Sequence, residues 1–99
     1  MEIEVTTEQV AGGHDVAVHL RLSPRETSRL FLSGDTLIQL PTEGLVPEAE
    51  SAPIPRMSIF ISEIAGAKDG LHRVFAERRD ADIFSTSVRT QLEKALEEL

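Results

Sequence analysis

The sequence predicts a mainly β protein, an immunoglobulin-like antiparallel β-sandwich with a short C-terminal α-helix. Residues 14–22 alternate apolar and polar side chains with a period of two, as a strand does when one of its faces is buried. Short segments of strand-like composition recur along the chain, and turns that contain glycine or proline separate them. Because helices do not alternate with these segments, two facing sheets are favoured, and an open barrel is the alternative.

Each predicted strand begins and ends at a turn signal. Gly12 and Gly13 tolerate the positive φ that a tight corner needs after the first strand. A proline-containing turn at residues 23–26 follows the second strand, and residues 33–35 are predicted to form the turn of a hairpin. The fifth strand has apolar side chains on both faces, which favours a central position. The predicted strands are residues 2–6, 14–22, 29–32, 36–40, 57–63, 72–77 and 83–88.

Two segments differ from this series of strands. Residues 41–55 contain four of the five prolines, so they are predicted to form a long acidic connection rather than a central strand. The last eleven residues have helical periodicity, with leucines on one face and acidic side chains mostly opposite. The chain is therefore divided into a sandwich domain over residues 1–88 and an amphipathic helix or tail over residues 89–99.

The charge of the chain restricts its partners. The formal net charge is −7, and residues 1–50 carry nine acidic against three basic side chains. Such a surface repels nucleic-acid phosphates and anionic lipid headgroups, and the apolar runs are too short for membrane insertion. Met1 is followed by an acidic, alternating segment rather than a secretion signal. As it stands the chain is expected in the cytoplasm, and an envelope or periplasmic location requires a signal that has been removed.

The histidines and acidic residues do not match a metal site. His14 and His19 are five residues apart on one predicted strand, so they face opposite sides of it. Glu77, Asp80 and Asp82 resemble a small calcium-binding loop, but the two arginines between them oppose a cation. We interpret this corner as a solvated turn with local ion pairs. The sequence therefore predicts no bound metal and no cofactor.

The nearest approach to a catalytic motif is the turn Ser33-Gly34-Asp35. It lacks the flanking glycines and the strand-to-helix context of a nucleophile elbow. Asp35 is expected to accept hydrogen bonds from turn amides, and we predict that the protein is not an enzyme. The alternative is a small hydrolase or metal-dependent enzyme, which requires His19, His72 and Asp35 to meet in one cleft.

Three short motifs share their layout with a known group of domains. They are residues 32–37, the pair Val74-Phe75 with Arg78, and residues 85–88. In this layout, over roughly residues 14–88, the chain resembles small bacterial envelope-associated immunoglobulin-like β-sandwich domains of unknown function. The resemblance implies a sandwich fold and an envelope location.

The function predicted from these features is a non-catalytic protein-interaction or accessory domain. The candidate surfaces are a strand edge, the 41–55 loop and the C-terminal helix. The candidate partner-binding residues are Leu45, Val46, Leu92, Leu96 and Leu99. An oligomerisation or regulatory module of a larger assembly, in which the three helical leucines pair chains, is the alternative. Packing of the same leucines on their own domain explains their spacing equally well.

Overall fold

The computed structural model describes residues 1–47 and 56–99, and over these residues three helices lie between and after the strands along the chain. This is an α+β fold, so the predicted immunoglobulin-like β-sandwich is wrong. The described strands form a three-stranded and a two-stranded sheet, and helices complete the core. The elements are β1 (Glu2–Val10), β2 (Gly13–Arg21), α1 (Pro24–Leu32), β3 (Leu37–Gln39), β4 (Ser58–Phe60), α2 (Ile61–Gly66), β5 (Leu71–Phe75) and α3 (Arg78–Glu97).

The larger sheet has β2 at its centre, with β1 and β5 antiparallel on its two sides. Val10 pairs with Gly13, so Ala11 and Gly12 form a two-residue turn between β1 and β2. Glycine is needed at position 13, because a Cβ there would lie 2.2 Å from the carbonyl oxygen of Phe75. The two predicted strands that flank this turn, and the predicted corner between them, are therefore confirmed.

The alternation of residues 14–22 is also confirmed. Val16, Val18 and Leu20 point to the core and are at most 6% exposed. His19 is exposed on the other side of the strand, and Asp15 is half-buried there. We call the side that carries the valines the inner face of the larger sheet and the opposite side its outer face.

Helix α3 covers the inner face of the larger sheet. Its buried residues recur every three or four positions, as one face of a helix requires, and they are Ala81, Phe84, Val88, Leu92 and Leu96. The ring of Phe84 contacts that of Phe75 on β5, with 5.1 Å between their centroids. Since burial of a large apolar side chain stabilises a fold by about 1.5–3 kcal/mol, this helix supplies a large part of the stability of the fold.

Helix α1 stands where the sequence predicts a strand at residues 29–32. Ser23 begins the helix: its hydroxyl accepts a hydrogen bond from the amide of Glu26 at 3.1 Å, and its own amide donates to the Glu26 carboxylate at 3.0 Å. This reciprocal capping box satisfies two amides that the first turn leaves without a helical partner. Pro24, with its fixed φ, suits the first helical position. The predicted turn at residues 23–26 is therefore the first turn of a helix.

Two more predicted strands are wrong in whole or in part. Residues 83–88 lie inside α3, and the charged corner before them is the first turn of that helix. Residues 57–63 divide between the three-residue strand β4 and the start of α2. The predicted tail at residues 89–99 is helical to Glu97, but it continues α3 instead of starting a separate element. Of the predicted 41–55 loop, residues 48–55 lie outside the described residues.

We expect Phe84→Ala to lower the free energy of unfolding by about 3–5 kcal/mol, because it removes a fully buried ring and leaves a cavity between α3 and β5. The matched control is Ile83→Ala, one position earlier on the same helix, where the side chain is 48% exposed. Urea unfolding followed by circular dichroism measures both, since the chain has no tryptophan or tyrosine. Equal losses in the two variants would contradict the packing of α3 on the sheet.

Candidate functional site

The β5 edge of the larger sheet is covered by the protein itself. A short segment that follows β3 runs alongside β5. The amide of Val46 donates to the carbonyl of Val74 at 2.8 Å, and the amide of Ala76 donates to the carbonyl of Gly44 at 3.0 Å. These hydrogen bonds satisfy backbone groups that an edge strand otherwise leaves to water.

The β1 edge is different, because in the described chain its nine residues pair with β2 alone. In an antiparallel ladder, the N–H and C=O groups of successive residues point alternately to one side of the strand and the other. Val10 and Gly13 close a two-residue turn, and such a closing pair is hydrogen-bonded, so the even residues of β1 bond to β2. The backbone groups of Ile3, Val5 and Thr7 therefore point away from the sheet.

The two faces of β1 carry different side chains. Glu2, Glu4 and Glu8 are exposed on the outer face, whereas Ile3 and Val5 are half-buried against the core on the inner face. The first basic residue of the chain is at position 21, so no lysine or arginine of β1 balances these carboxylates. Within residues 1–47 and 56–99, the β1 edge thus combines backbone groups that no second strand pairs with and a row of three acidic side chains.

A shallow groove of about 260 Å³ runs between β1 and α3. Val5 and Thr7 form its strand side. Its helix side consists of mostly small polar side chains, which are Asp82, Ser85, Thr86, Arg89 and Thr90. A chain paired with β1 would therefore lay its inner side chains over this part of α3.

The outer face of the larger sheet also holds a histidine with two acceptors. Nδ1 of His72 lies 3.1 Å from a carboxylate oxygen of Asp15, and Nε2 lies 2.7 Å from the carbonyl oxygen of Asp69. Only the protonated imidazole can donate from both nitrogens at once. These hydrogen bonds, that of Asp15 first, raise the pKa of His72 above its ordinary value.

A second groove, of about 530 Å³, lies at one end of β2 between α1 and α2. It is open there because β5 begins opposite Val18 and leaves the last residues of β2 unpaired on that side. The side chain of Phe31 is 63% exposed and forms part of its wall. The charged side chains around it are of both signs, including Glu2, Arg21 and Lys68. This mixture of charges does not select one class of ligand.

The structure assigns the predicted partner-binding residues to the fold itself. Leu45 and Val46 lie along β5, and Leu45 packs against the core. Leu92 and Leu96 are at most 5% exposed beneath the sheet, and Leu99 is half-buried next to them. The helical leucines could therefore pair two chains only if α3 left the sheet.

Of the three residues that the enzyme alternative requires, the two histidines lie near each other on the outer face of the larger sheet. The rings of His19 and His72 are 6.2 Å apart between centroids. Asp35 accepts hydrogen bonds from the amide of Thr36 at 2.7 Å and from the hydroxyl of Ser62, so its predicted turn-amide role is confirmed. These bonds connect the loop after α1 to the first turn of α2.

The other candidate metal ligands do not form a cluster in the described residues. His14 and His19 lie on opposite faces of β2, as predicted. Asp82 is 3.9 Å from the guanidinium of Arg78 one turn away on α3. In the part of the chain that the structure describes, no group of three or more His, Cys, Asp or Glu side chains could hold a metal ion.

Comparison of the chain with protein-family models, curated proteins and solved structures gives no match. Within residues 1–47 and 56–99, no helix combines the length and the apolar character needed to cross a membrane.

A strand edge was among the predicted surfaces, but the sequence did not show which edge stays open. The alternation over residues 2–6 predicted a strand and not its place in the sheet. That place depends on the pairing of β2 with both β1 and β5, and on the return of the segment around Gly44 to cover β5. The absence of lysine and arginine before position 21 was a readable signal that the first strand is acidic.

We expect the stabilisation due to His72 to decrease as the pH rises. The pKa of His72 is raised in the folded protein. Its contribution to the free energy of unfolding is therefore fully present below the pKa of the unfolded chain, about 6.5, and is lost as the pH rises through the higher pKa of the folded protein. The difference in free energy of unfolding between the wild type and His72→Asn should therefore shrink on going from about pH 5.5 to about pH 8.

Asp15→Asn is the matched control, because it keeps the shape of the partner and removes its charge. In that variant, an NMR titration should give His72 a lower pKa than in the wild type. An unchanged pKa of His72 in Asp15→Asn would contradict the role of this carboxylate.

Proposed function

We propose that this protein is a non-catalytic interaction domain that binds an extended segment of a partner protein by strand addition at β1. The single observation that carries the proposal is the contrast between the two edges of the larger sheet. The β5 edge is covered by the segment around Gly44, whereas the nine residues of β1 pair only with β2 in the described chain. An uncovered edge of this length can pair with an extended chain.

Backbone hydrogen bonds would supply the common part of the affinity. The outward groups of Ile3, Val5 and Thr7 can each donate one bond and accept another. Each bond has a net worth of only about 0.5–1.5 kcal/mol, because water is displaced from both partners, so several must form together. A strand already held in register along its whole length loses little conformational entropy on binding.

The groove beside α3 would supply a second contact. In a chain paired with β1, every other side chain points to the inner face and meets Thr86, Thr90 and the other groove residues. These helical positions keep a fixed geometry, since Phe84, Val88 and Leu92 anchor α3 to the sheet. The binding surface is therefore built on rigid elements and needs no rearrangement of the core.

We expect Thr7→Pro to abolish binding of peptides selected for the wild-type protein from a random peptide library. Proline removes an outward N–H and places its ring at the edge, while the bonds of the even residues to β2 stay intact. Fluorescence anisotropy of labelled selected peptides measures the loss. The matched control is Thr7→Ala, which keeps the N–H and should bind as the wild type does.

Hydrogen exchange tests the same site without a substitution. On binding, the amides of Ile3, Val5 and Thr7 should become protected, and those of the even residues of β1 should change little. Circular dichroism verifies that Thr7→Pro is folded. The proposal is wrong if the library yields no binder, or if the binders protect amides elsewhere and bind Thr7→Pro unchanged.

A further inference from the structure

We infer that the partner strand carries basic side chains at alternate positions, which face Glu2, Glu4 and Glu8 across the β1 edge. This inference rests on the proposed function and adds the chemistry of the partner to it. The three carboxylates are exposed on the outer face of β1, at every second or fourth position. Since side chains of a strand alternate, a partner that meets them must place its charges with a period of two.

The balance of charge along the strand supports a basic partner. No lysine or arginine lies in β1, and the net charge of the whole chain is −7. Each of these glutamates also has a neighbour directly opposite on β2. That neighbour is Asp15 for Glu8, His19 for Glu4 and Arg21 for Glu2. The far side of β1 is the side on which an added strand would bring new charges. Opposite charges directly across a ladder stabilise the pair, and like charges destabilise it.

The same carboxylates oppose a second copy of this chain as the occupant. Two copies of β1 can pair about a two-fold axis, and the register that uses all nine residues places Glu4 opposite Glu8 of the partner copy, twice. Sliding the copies so that Val5 faces its own equivalent places Glu2 opposite Glu8 instead. Both registers set carboxylates against carboxylates. The shorter register centred on Thr7 pairs seven residues and avoids this, and there the repulsion between two chains of the same net charge opposes the dimer.

The inner positions of the partner strand face different chemistry. There the partner would meet the groove between β1 and α3, where Thr86 and Thr90 offer short side chains and Arg89 and Asp82 carry opposite charges. This lining admits β-branched side chains such as threonine and valine and gives no preference for one sign of charge. The partner is thus a segment in which lysine or arginine alternates with threonine or valine.

Three synthetic peptides test this inference. They share valine and threonine at the inner positions and carry lysine, serine or glutamate at all outer positions. We expect the lysine peptide to bind the wild-type protein at least about ten-fold more tightly than the serine peptide in fluorescence anisotropy, and the glutamate peptide not to bind. The preference for lysine should decrease when the salt concentration is raised from about 50 mM to about 300 mM.

Charge variants of the protein locate the effect. The triple variant Glu2→Gln, Glu4→Gln, Glu8→Gln should lose about ten-fold in affinity for the lysine peptide and little for the serine peptide. The control is Glu43→Gln, Glu97→Gln, Glu98→Gln, which changes the net charge equally at exposed positions outside β1 and the groove and should lose less than about two-fold. Thr7→Pro should abolish binding of both peptides.

The outcomes separate the partner chemistry from the proposed function. Equal affinities for the lysine and serine peptides, or equal losses in the two triple variants, would overturn the inference. If β1-dependent binders selected from the random library lack alternating basic residues, the inference fails while strand addition at β1 stands. A dimer in light scattering that Thr7→Pro dissociates would assign the edge to a second copy and would also overturn it.

Discussion

The contact between α3 and the inner face of the larger sheet is the constraint on which the rest of the structure depends. A three-stranded sheet is stable only when one face is covered, and here α3 contacts all three strands with five buried side chains, while α2 also packs against β2. The two rings that meet at the centre, Phe75 and Phe84, are half of the aromatic residues of the chain. Because α3 covers only one face, the outer face stays in water and carries the charged side chains of β1 and β2.

This arrangement leaves the edges of the sheet, and not its inner face, as the places where a further strand can be added without disturbing the core. The protein covers the β5 edge with its own backbone near Gly44 through two backbone hydrogen bonds. Backbone hydrogen bonds at a sheet edge can form with any extended chain, so they contribute affinity but no specificity for one partner. The choice has to come from side chains, and on β1 these are carboxylates. Edge pairing and charge selection are thus separate contributions with different salt dependence.

The sequence predicted the strands β1 and β2 and the glycine corner between them, because alternation over nine residues on β2 and the corner agree with each other, but it ended the first strand at residue 6 instead of Val10. The prediction from the sequence was wrong at residues 83–88, because these six residues fit a strand as well as a helix. The helical stripe appears only when the window extends from Ala81 to Leu96. At α1 the signal was local and readable, since Ser23 and Glu26 have capping-box spacing before a helix-compatible segment. The sequence did not show that β1 lies at an edge of the sheet in the described part of the chain, because that depends on which strands pair.

The leucines of the C-terminal helix show why a pattern of apolar residues does not by itself reveal an interface. Leu92 and Leu96 have the spacing of a coiled-coil seam, and the same spacing serves a helix that packs on its own sheet. What separates the two cases is whether another surface already occupies that face. Here the sheet does, since both side chains are at most 5% exposed. With its apolar face used within the fold, α3 can contribute to binding only through its polar side, and that is the side which lines the groove beside β1.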